Sequence, residues 1–212
     1  MPENKLKKLI IKYQTIGFVH TYGHTECSPR VTALMPQYSL SKLGSVGTAI
    51  PGVRVRVVDE NMVDCLAFEV GEIIVSGKNT MIGYYKQQQI TNETIQEGWV
   101  HTGDLGYLDQ DGFLYLTGRM KNVIISGGIN VYPEEIEQTL LEHECVEEVC
   151  VMAEEHERMG EVPVAKVVLR SEISAKELTK YCSSRLASYK VPVTFEFVQT
   201  LAKTYNGKIK RY

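Results

Sequence analysis

Gly118-Arg119-Met120-Lys121-Asn122-Val123-Ile124-Ile125-Ser126-Gly127-Gly128-Ile129-Asn130-Val131-Tyr132-Pro133-Glu134-Glu135-Ile136-Glu137 is the stretch that decides how this 212-residue chain is read. Residues 123–125 form a short apolar run with the texture of a strand, broken by Ser126-Gly127-Gly128. Pro133 stands where a first helical residue belongs, because its missing N–H would go unpaired there in any case. Glu134 and Glu135 follow in the first turn, where carboxylates face the positive end of the helix dipole. Ile136, Leu140 and Leu141 give that helix an apolar stripe.

Toward the C-terminus, residues 146–152, 162–169 and 193–198 read as strands. Ser174 and Glu177 form a capping box for a second helix, with Leu178, Tyr181, Cys182 and Leu186 facing inward. This is an α+β module of about 90 residues, an ordinary size for a domain. Its boundary falls near Lys121.

Toward the N-terminus the texture differs. Val53, Val55 and Val57 alternate with Arg54 and Arg56, the period of a strand with one polar face. Residues 72–75 form another strand between Gly71 and Gly77. Residues 105–108 and 113–117 flank Asp109-Gln110-Asp111-Gly112, a hairpin signal. With one short helix at 91–96, this part reads as an antiparallel sheet or small barrel. Residues 2–14 read as a helix with Leu6, Leu9, Ile10 and Tyr13 on one face. A strand at 16–20 then runs into Tyr22-Gly23-His24-Thr25-Glu26, the kind of strand-to-loop junction where α/β folds place ligands.

Composition excludes several classes. Apolar residues are 43% and charged residues 23%, so the chain can bury a core and is not disordered. A net charge of -3 argues against bulk electrostatic binding to nucleic acid or acidic lipid. The five cysteines show no C-x-x-C spacing, which suits reduced thiols in a cytoplasmic protein. No apolar run approaches the roughly 20 residues of a membrane span. The N-terminus lacks the long apolar segment of a signal peptide. The histidines are scattered, and P-loop, dinucleotide and nucleophile-elbow motifs are absent.

Four polar clusters remain: residues 22–26; His101-Thr102-Gly103-Asp104; Gly118 to Lys121 with residues 126–130; and Asn206-Gly207-Lys208. Each alone is an ordinary turn sequence. Together they supply an aromatic ring, hydroxyls, carboxylates, Arg, Lys and close-approach glycines, a set suited to a nucleotide phosphate with magnesium.

Their order and wording resemble the adenylate-forming superfamily of acyl- and aryl-CoA synthetases, luciferases and peptide-synthetase adenylation domains. Residues 22–26 are similar to its Y-G-x-T-E motif. Gly71-Glu72-Ile73, Gly83-Tyr84-Tyr85 and Gly98-Trp99-Val100-His101-Thr102-Gly103-Asp104 follow in the family's order. Residues 118–137 match its longest signature nearly throughout, in the wording of CoA ligases. Gly207-Lys208 resembles its C-terminal G-K element.

The resemblance implies an α+β fold in two parts. Residues 1–120 would be the β-barrel-like C-terminal portion of a large adenylation domain, incomplete here. Residues 121–212 would be the compact, mobile C-terminal domain. It also implies roles. Tyr22, beside Gly23, stacks on adenine. Thr25 bonds a phosphate oxygen, and Glu26 holds Mg2+. Asp104 and Arg119 take the ribose. Lys208 bridges the acyl carboxylate and α-phosphate. Lys121 is the hinge, and Ser126, Gly127 and Gly128 line the path of coenzyme A. The implied reaction joins a carboxylic acid to ATP, giving acyl-AMP, and then to CoA.

The chain departs from the pattern too. The family's T-S-G-T-T-G-x-P-K-G phosphate loop and the acyl-binding segments are absent, so the chain resembles only the C-terminal part of a ligase and is expected to be inactive alone. Ala202 stands where the family usually has proline, and Lys121 replaces the aspartate of some relatives. A non-enzymatic nucleotide- or CoA-binding remnant and a peptide-synthetase adenylation domain are the alternatives. Without its N-terminal companion, the apolar face of residues 1–35 is expected to be poorly anchored or to pair in a homodimer.

Overall fold

A computed structural model describes residues 3–205 and 207–211, which divide into two compact units, Glu3–Met120 and 121–211. The first opens with helix α1 (Glu3–Lys12). The helical reading began at Pro2, which lies outside the described residues. Strands β1 (His20–Tyr22), β2 (Thr32–Leu34) and β3 (Thr48–Ala49) form a small antiparallel sheet in that order. Next come β4 (Val53–Val58), β5 (Gly71–Gly77), helix α2 (Gln88–Thr94), β6 (Ile95–Gln96), β7 (Trp99–Leu108) and β8 (Leu114–Arg119). They build a second antiparallel sheet, β4-β5-β7-β6, with β8 on β7. A bridge between Gly47 and Leu114 links the two sheets, so they curl around one core. That core holds Tyr22, Cys27, Val31, Val46, Val57, Ile73, Val75, Val100 and Leu114. On the outer side, the guanidinium carbons of Arg54 and Arg56 lie 5.0 and 5.2 Å from the Trp99 ring centre, close enough for cation–π attraction.

Two expectations for this unit are corrected. The strand expected at 16–20 is only His20–Tyr22, because β2 offers pairing to those three residues and no further. A strand without a hydrogen-bonded neighbour leaves its backbone groups to water. The helix expected at 91–96 is displaced to Gln88–Thr94, and Ile95–Gln96 turn back as β6 against Trp99 and Val100. The turn between them is Glu97-Gly98, with φ of 51° and 80°, the left-handed pair that favours a tight hairpin. The hairpin expected at 109–112 forms. Asp109 Oδ1 accepts the N–H groups of Asp111 and Phe113, each at 2.9 Å, which closes the turn.

The second unit contains β9 (Ile124–Ser126), β10 (Ile129–Val131), α3 (Pro133–Leu141), β11 (Val146–His156), β12 (Gly160–Leu169), α4 (Ala175–Ser183) and β13 (Thr194–Phe197). The sheet order is β10-β9-β12-β11, with β13 parallel to β12. The sequence reading did not anticipate β10, which is three residues long and pairs only with β9. Ile136 and Leu140 of α3, Leu178 and Cys182 of α4, and Val149, Val151, Ala165 and Val167 of the sheet are buried together. The capping box is present: Ser174 Oγ accepts from Glu177 N, and Glu177 Oε2 accepts from Ser174 N at 3.0 Å. The architecture is α+β with curled antiparallel sheets, as expected.

Among the described residues no helix is long and apolar enough to cross a membrane. All five cysteines are free thiols, and Cys27, Cys150 and Cys182 are buried. Near the N-terminus Leu6 is buried, whereas Ile11, Ile16, Val19, Met35 and Leu40 are exposed.

Candidate nucleotide and acyl-transfer site

Tyr22 ends β1, and Gly23 follows where the chain passes very close to itself. A Cβ on Gly23 would lie 2.2 Å from the Pro29 carbonyl oxygen, so only glycine fits. Beyond it, Thr25–Cys27 form one 3-10 turn. Thr25 is exposed at its start. Glu26 points back across the unit: its Oε1 accepts from the Tyr84 hydroxyl at 2.5 Å, and His24 Nδ1 faces its Oε2. Burial pushes the Glu26 carboxyl up, but Tyr84, a backbone N–H and His24 outweigh it and hold it below the usual range. The Y-G-H-T-E loop is thereby fastened to the Gly83-Tyr84-Tyr85 segment.

Asp104 lies in β7 directly opposite Arg119 of β8, and Arg119 Nε reaches its Oδ1 at 2.8 Å. The Tyr22 hydroxyl donates to Oδ2 at 2.8 Å. Burial first, and then the Asp104 charge, push the Tyr22 hydroxyl far above an ordinary phenol, so it remains a donor. Asp104 itself is only 7% exposed, yet each carboxylate oxygen retains a second lone pair for a further donor. Three of the expected residues are thus brought together from three separate strands.

Residues 101–104, an ordinary turn sequence taken alone, instead lie within β7 as a bulge, with φ of 66° at Gly103, and the bulge has its own support. Glu72 Oε1 accepts from Gly103 N at 3.1 Å, and Glu72 Oε2 bonds His101 Nδ1 at 2.8 Å. Thr102 Oγ1 donates to Ile73 O at 2.7 Å and accepts from Asp104 N. Sequence reasoning quoted Glu72, Tyr84, His101 and Thr102 within motifs but gave them no role. Their partners lie 29 or more positions away, beyond what spacing can show.

The second unit carries the remaining candidates. Lys121 is exposed within a 3-10 turn, Met120–Asn122. Gly127 and Gly128 make the β9–β10 turn with φ of 58° and 80°. Ser126 is 2% exposed, so the surface presents the turn and not the serine side chain. Lys208 is exposed on a tail hairpin after Gly207. Asn206, the first residue of that cluster, lies outside the described residues. Among the described residues no group of three or more His, Cys, Asp or Glu is placed to hold a metal. Glu26 is a single hard oxygen donor. That fits Mg2+, which often takes one or two carboxylates and fills its shell with phosphates and water.

Comparison with known proteins follows the same division. Residues 2–85 match the AMP-binding enzyme family, and residues 135–208 match the AMP-binding enzyme C-terminal domain. This chain belongs to the adenylate-forming, AMP-binding enzyme family. It is 42% identical over 196 residues to a 2-succinylbenzoate–CoA ligase of Bacillus cereus, covering 92% of this chain and 40% of that protein. The corresponding ligase of Bacillus subtilis is 41% identical over 191 residues, covering 90% and 39%. The solved o-succinylbenzoate CoA synthetase from Bacillus subtilis, in complex with the acyl-adenylate intermediate OSB-AMP, is 38% identical with a TM-score of 0.94. That likeness covers 99% of this chain and 43% of that one. An amide bond synthetase from Marinactinospora thermotolerans is 31% identical with a TM-score of 0.84, covering 91% and 40%. This adenylate-forming chain therefore spans about 40% of the length of the curated relatives it matches.

Proposed function

We propose that this chain supplies the C-terminal part of an AMP-forming carboxylic acid–CoA ligase, with 2-succinylbenzoate as the acid. The observation that carries the reading is Asp104, held on both oxygens by Tyr22 and Arg119 at the positions of the family's nucleotide motifs. A carboxylate fixed in this way is preorganised to accept the two ribose hydroxyls, since its orientation is settled before ligand arrives. The acid is taken from the relatives named above.

In the proposed first half-reaction the acid's carboxylate oxygen attacks the α-phosphorus of ATP, and pyrophosphate leaves. Tyr22, whose ring is buried in the core and not free to stack on adenine, orients Asp104 through its hydroxyl; Asp104 and Arg119 hold the ribose, and Thr25 bonds a phosphate oxygen. Lys208 places its ammonium between the carboxylate and the α-phosphate, where negative charge converges. Bound at Glu26, Mg2+ would neutralise phosphate charge. In the second half-reaction the CoA sulfur attacks the acyl carbon and AMP leaves. The Gly127-Gly128 turn borders the thiol's approach, and Lys121 is the hinge between the two arrangements.

The sequence lacks the family's phosphate loop, so the chain alone is expected to show no ATP–pyrophosphate exchange with 2-succinylbenzoate. Joined to the N-terminal part of a relative's ligase, it is expected to restore exchange, and Lys208→Ala should abolish it. Exchange by the chain alone would overturn the account of its incompleteness. A joined enzyme that used other acids but not 2-succinylbenzoate would overturn the substrate assignment.

A further inference from the structure

The hairpin that carries Lys208 is internally well made. Thr204 N donates to Lys208 O at 2.8 Å, Lys208 N to Thr204 Oγ1 at 3.1 Å, and Lys210 N to Ala202 O at 2.8 Å. These bonds fix its shape but not its place on the unit. Lys208 is itself exposed and does not tether it.

Among the described residues, two charged side chains of the hairpin fasten it to the rest of the unit, beside a weak bond from Cys150 Sγ to Lys210 O at 3.9 Å. On the first arm Lys203 pairs with Glu148, with the two side chains 42% and 30% exposed. Such solvent-facing pairs contribute little. On the second arm Arg211 is three-quarters buried, with 24% of its side chain exposed, and it makes three bonds. Its Nη1 donates to Val151 O at 2.8 Å, and its Nη2 donates to Glu137 Oε2 at 2.8 Å and to Glu134 Oε1 at 3.2 Å.

The geometry of these acceptors explains why an arginine is needed. β11 is an edge strand, and Val151 turns both backbone groups to its open side. Glu137 Oε1 takes the Val151 N–H at 2.8 Å, and Arg211 fills the carbonyl. Val151, Glu137 and Arg211 thus close a ring that satisfies an otherwise unpaired strand edge. The planar guanidinium can reach a carbonyl and two carboxylates at once, which an ammonium cannot. Glu134 Oε1 also accepts from Asn122, the neighbour of Lys121, at 3.2 Å.

We propose that Arg211 is a positioning residue for Lys208: by clamping the second arm of the hairpin to α3 and the edge of β11, it sets where the Lys208 ammonium is presented. This rests on the reading of Lys208 given above, but the clamp is a property of this chain and is measured without catalysis.

Amide hydrogen exchange of the 212-residue chain, followed residue by residue by NMR, tests it. With Arg211→Gln, exchange at Lys208 and Lys210 should rise by about tenfold or more, while Val164 and Ala165 in the sheet stay as they were. Arg211→Lys should restore part of the protection. The double variant Arg211→Gln with Glu137→Gln removes the stranded carboxylate, so the unit folds without the clamp and the tail should still exchange fast. Lys208→Ala should leave Lys210 protected. If Lys208 proved dispensable for adenylate formation, the reading of the lysine would fail while these exchange rates still reported the clamp. Tail amides that stay protected in both glutamine variants, or that speed up only together with Val164 and Ala165, would overturn the proposal.

Discussion

The Tyr22 hydroxyl donates to Asp104 Oδ2 at 2.8 Å, joining the end of β1 to the middle of β7 across 82 positions of sequence. Tyr22→Phe leaves the ring in the core and removes only this donor. A hydrogen bond to a charged acceptor contributes about 1.5–3 kcal/mol, so the variant should lose roughly that much stability in urea unfolding. A loss below about 0.5 kcal/mol, the scatter of neutral substitutions, would show that Arg119 and water already satisfy Asp104.

Asp109 makes the β7–β8 hairpin pH-sensitive. Burial pushes its carboxyl up, but Lys42 Nζ at 2.7 Å and the N–H groups of Phe113 and Asp111 outweigh that and hold it below the usual range. A carboxyl whose folded value is depressed stabilises the fold above its unfolded value, near 3.9, and loses that contribution as pH falls through the folded value. Asp109→Asn should therefore cost roughly 1–3 kcal/mol at neutral pH, where it strips a buried charge from its donors. The gap from the parent should narrow as pH falls below about 3.9 toward the folded value. A gap that stayed constant down to the acid limit of folding would mean that the carboxylate's charge contributes nothing.

The sequence revealed elements whose signals are local and missed those that depend on distant partners. Pro133 with Glu134 and Glu135, and Ser174 with Glu177, mark α3 and α4 because caps and first turns are made within a few residues. The alternation of Val53, Val55 and Val57 marks β4 for the same reason. The expected strand at 16–20 shrank to His20–Tyr22 because strand length is set by the neighbour, here three residues of β2. β6 and β10 were too short to show a period. At the candidate site, motif wording located Tyr22, Asp104 and Arg119, but not that they bond one another. Glu72 and Tyr84 stood inside quoted motifs without a role, and Arg211 had no signal, because its partners Glu134, Glu137 and Val151 lie 60 to 77 positions away.

Leu178 of α4 is fully buried, whereas Ile125 of β9 is 55% exposed. Leu178→Ala opens a cavity as well as losing transfer energy and should cost about 2–5 kcal/mol. Ile125→Ala should stay within about 0.5 kcal/mol, as surface changes do. Thermal unfolding of the two variants compares them directly, and equal losses would contradict the placement of the second core between α3, α4 and the sheet.

The turn beside the proposed CoA path offers a sharper comparison. Gly127 and Gly128 are both left-handed, at φ of 58° and 80°. Alanine at either position bears a conformational cost of about 1–2 kcal/mol. At Gly128 nothing lies within 4 Å of an added Cβ, so Gly128→Ala measures that cost alone. At Gly127 the added Cβ would lie 2.7 Å from Met159 Cε, while Gly127 N holds Met159 O at 2.8 Å and keeps the two segments together. Methionine is flexible enough to swing aside, but it gives up contacts in doing so. Gly127→Ala should therefore cost more than Gly128→Ala, and the excess should disappear when Met159 is also alanine. In a double-mutant cycle by urea unfolding, Gly127→Ala and Met159→Ala should couple by at least about 0.5 kcal/mol, while Gly128→Ala and Met159→Ala add independently. Equal coupling of Met159 to both glycines would mean that the turn shifts as one body, and that the close approach of Met159 to Gly127 does not determine its shape.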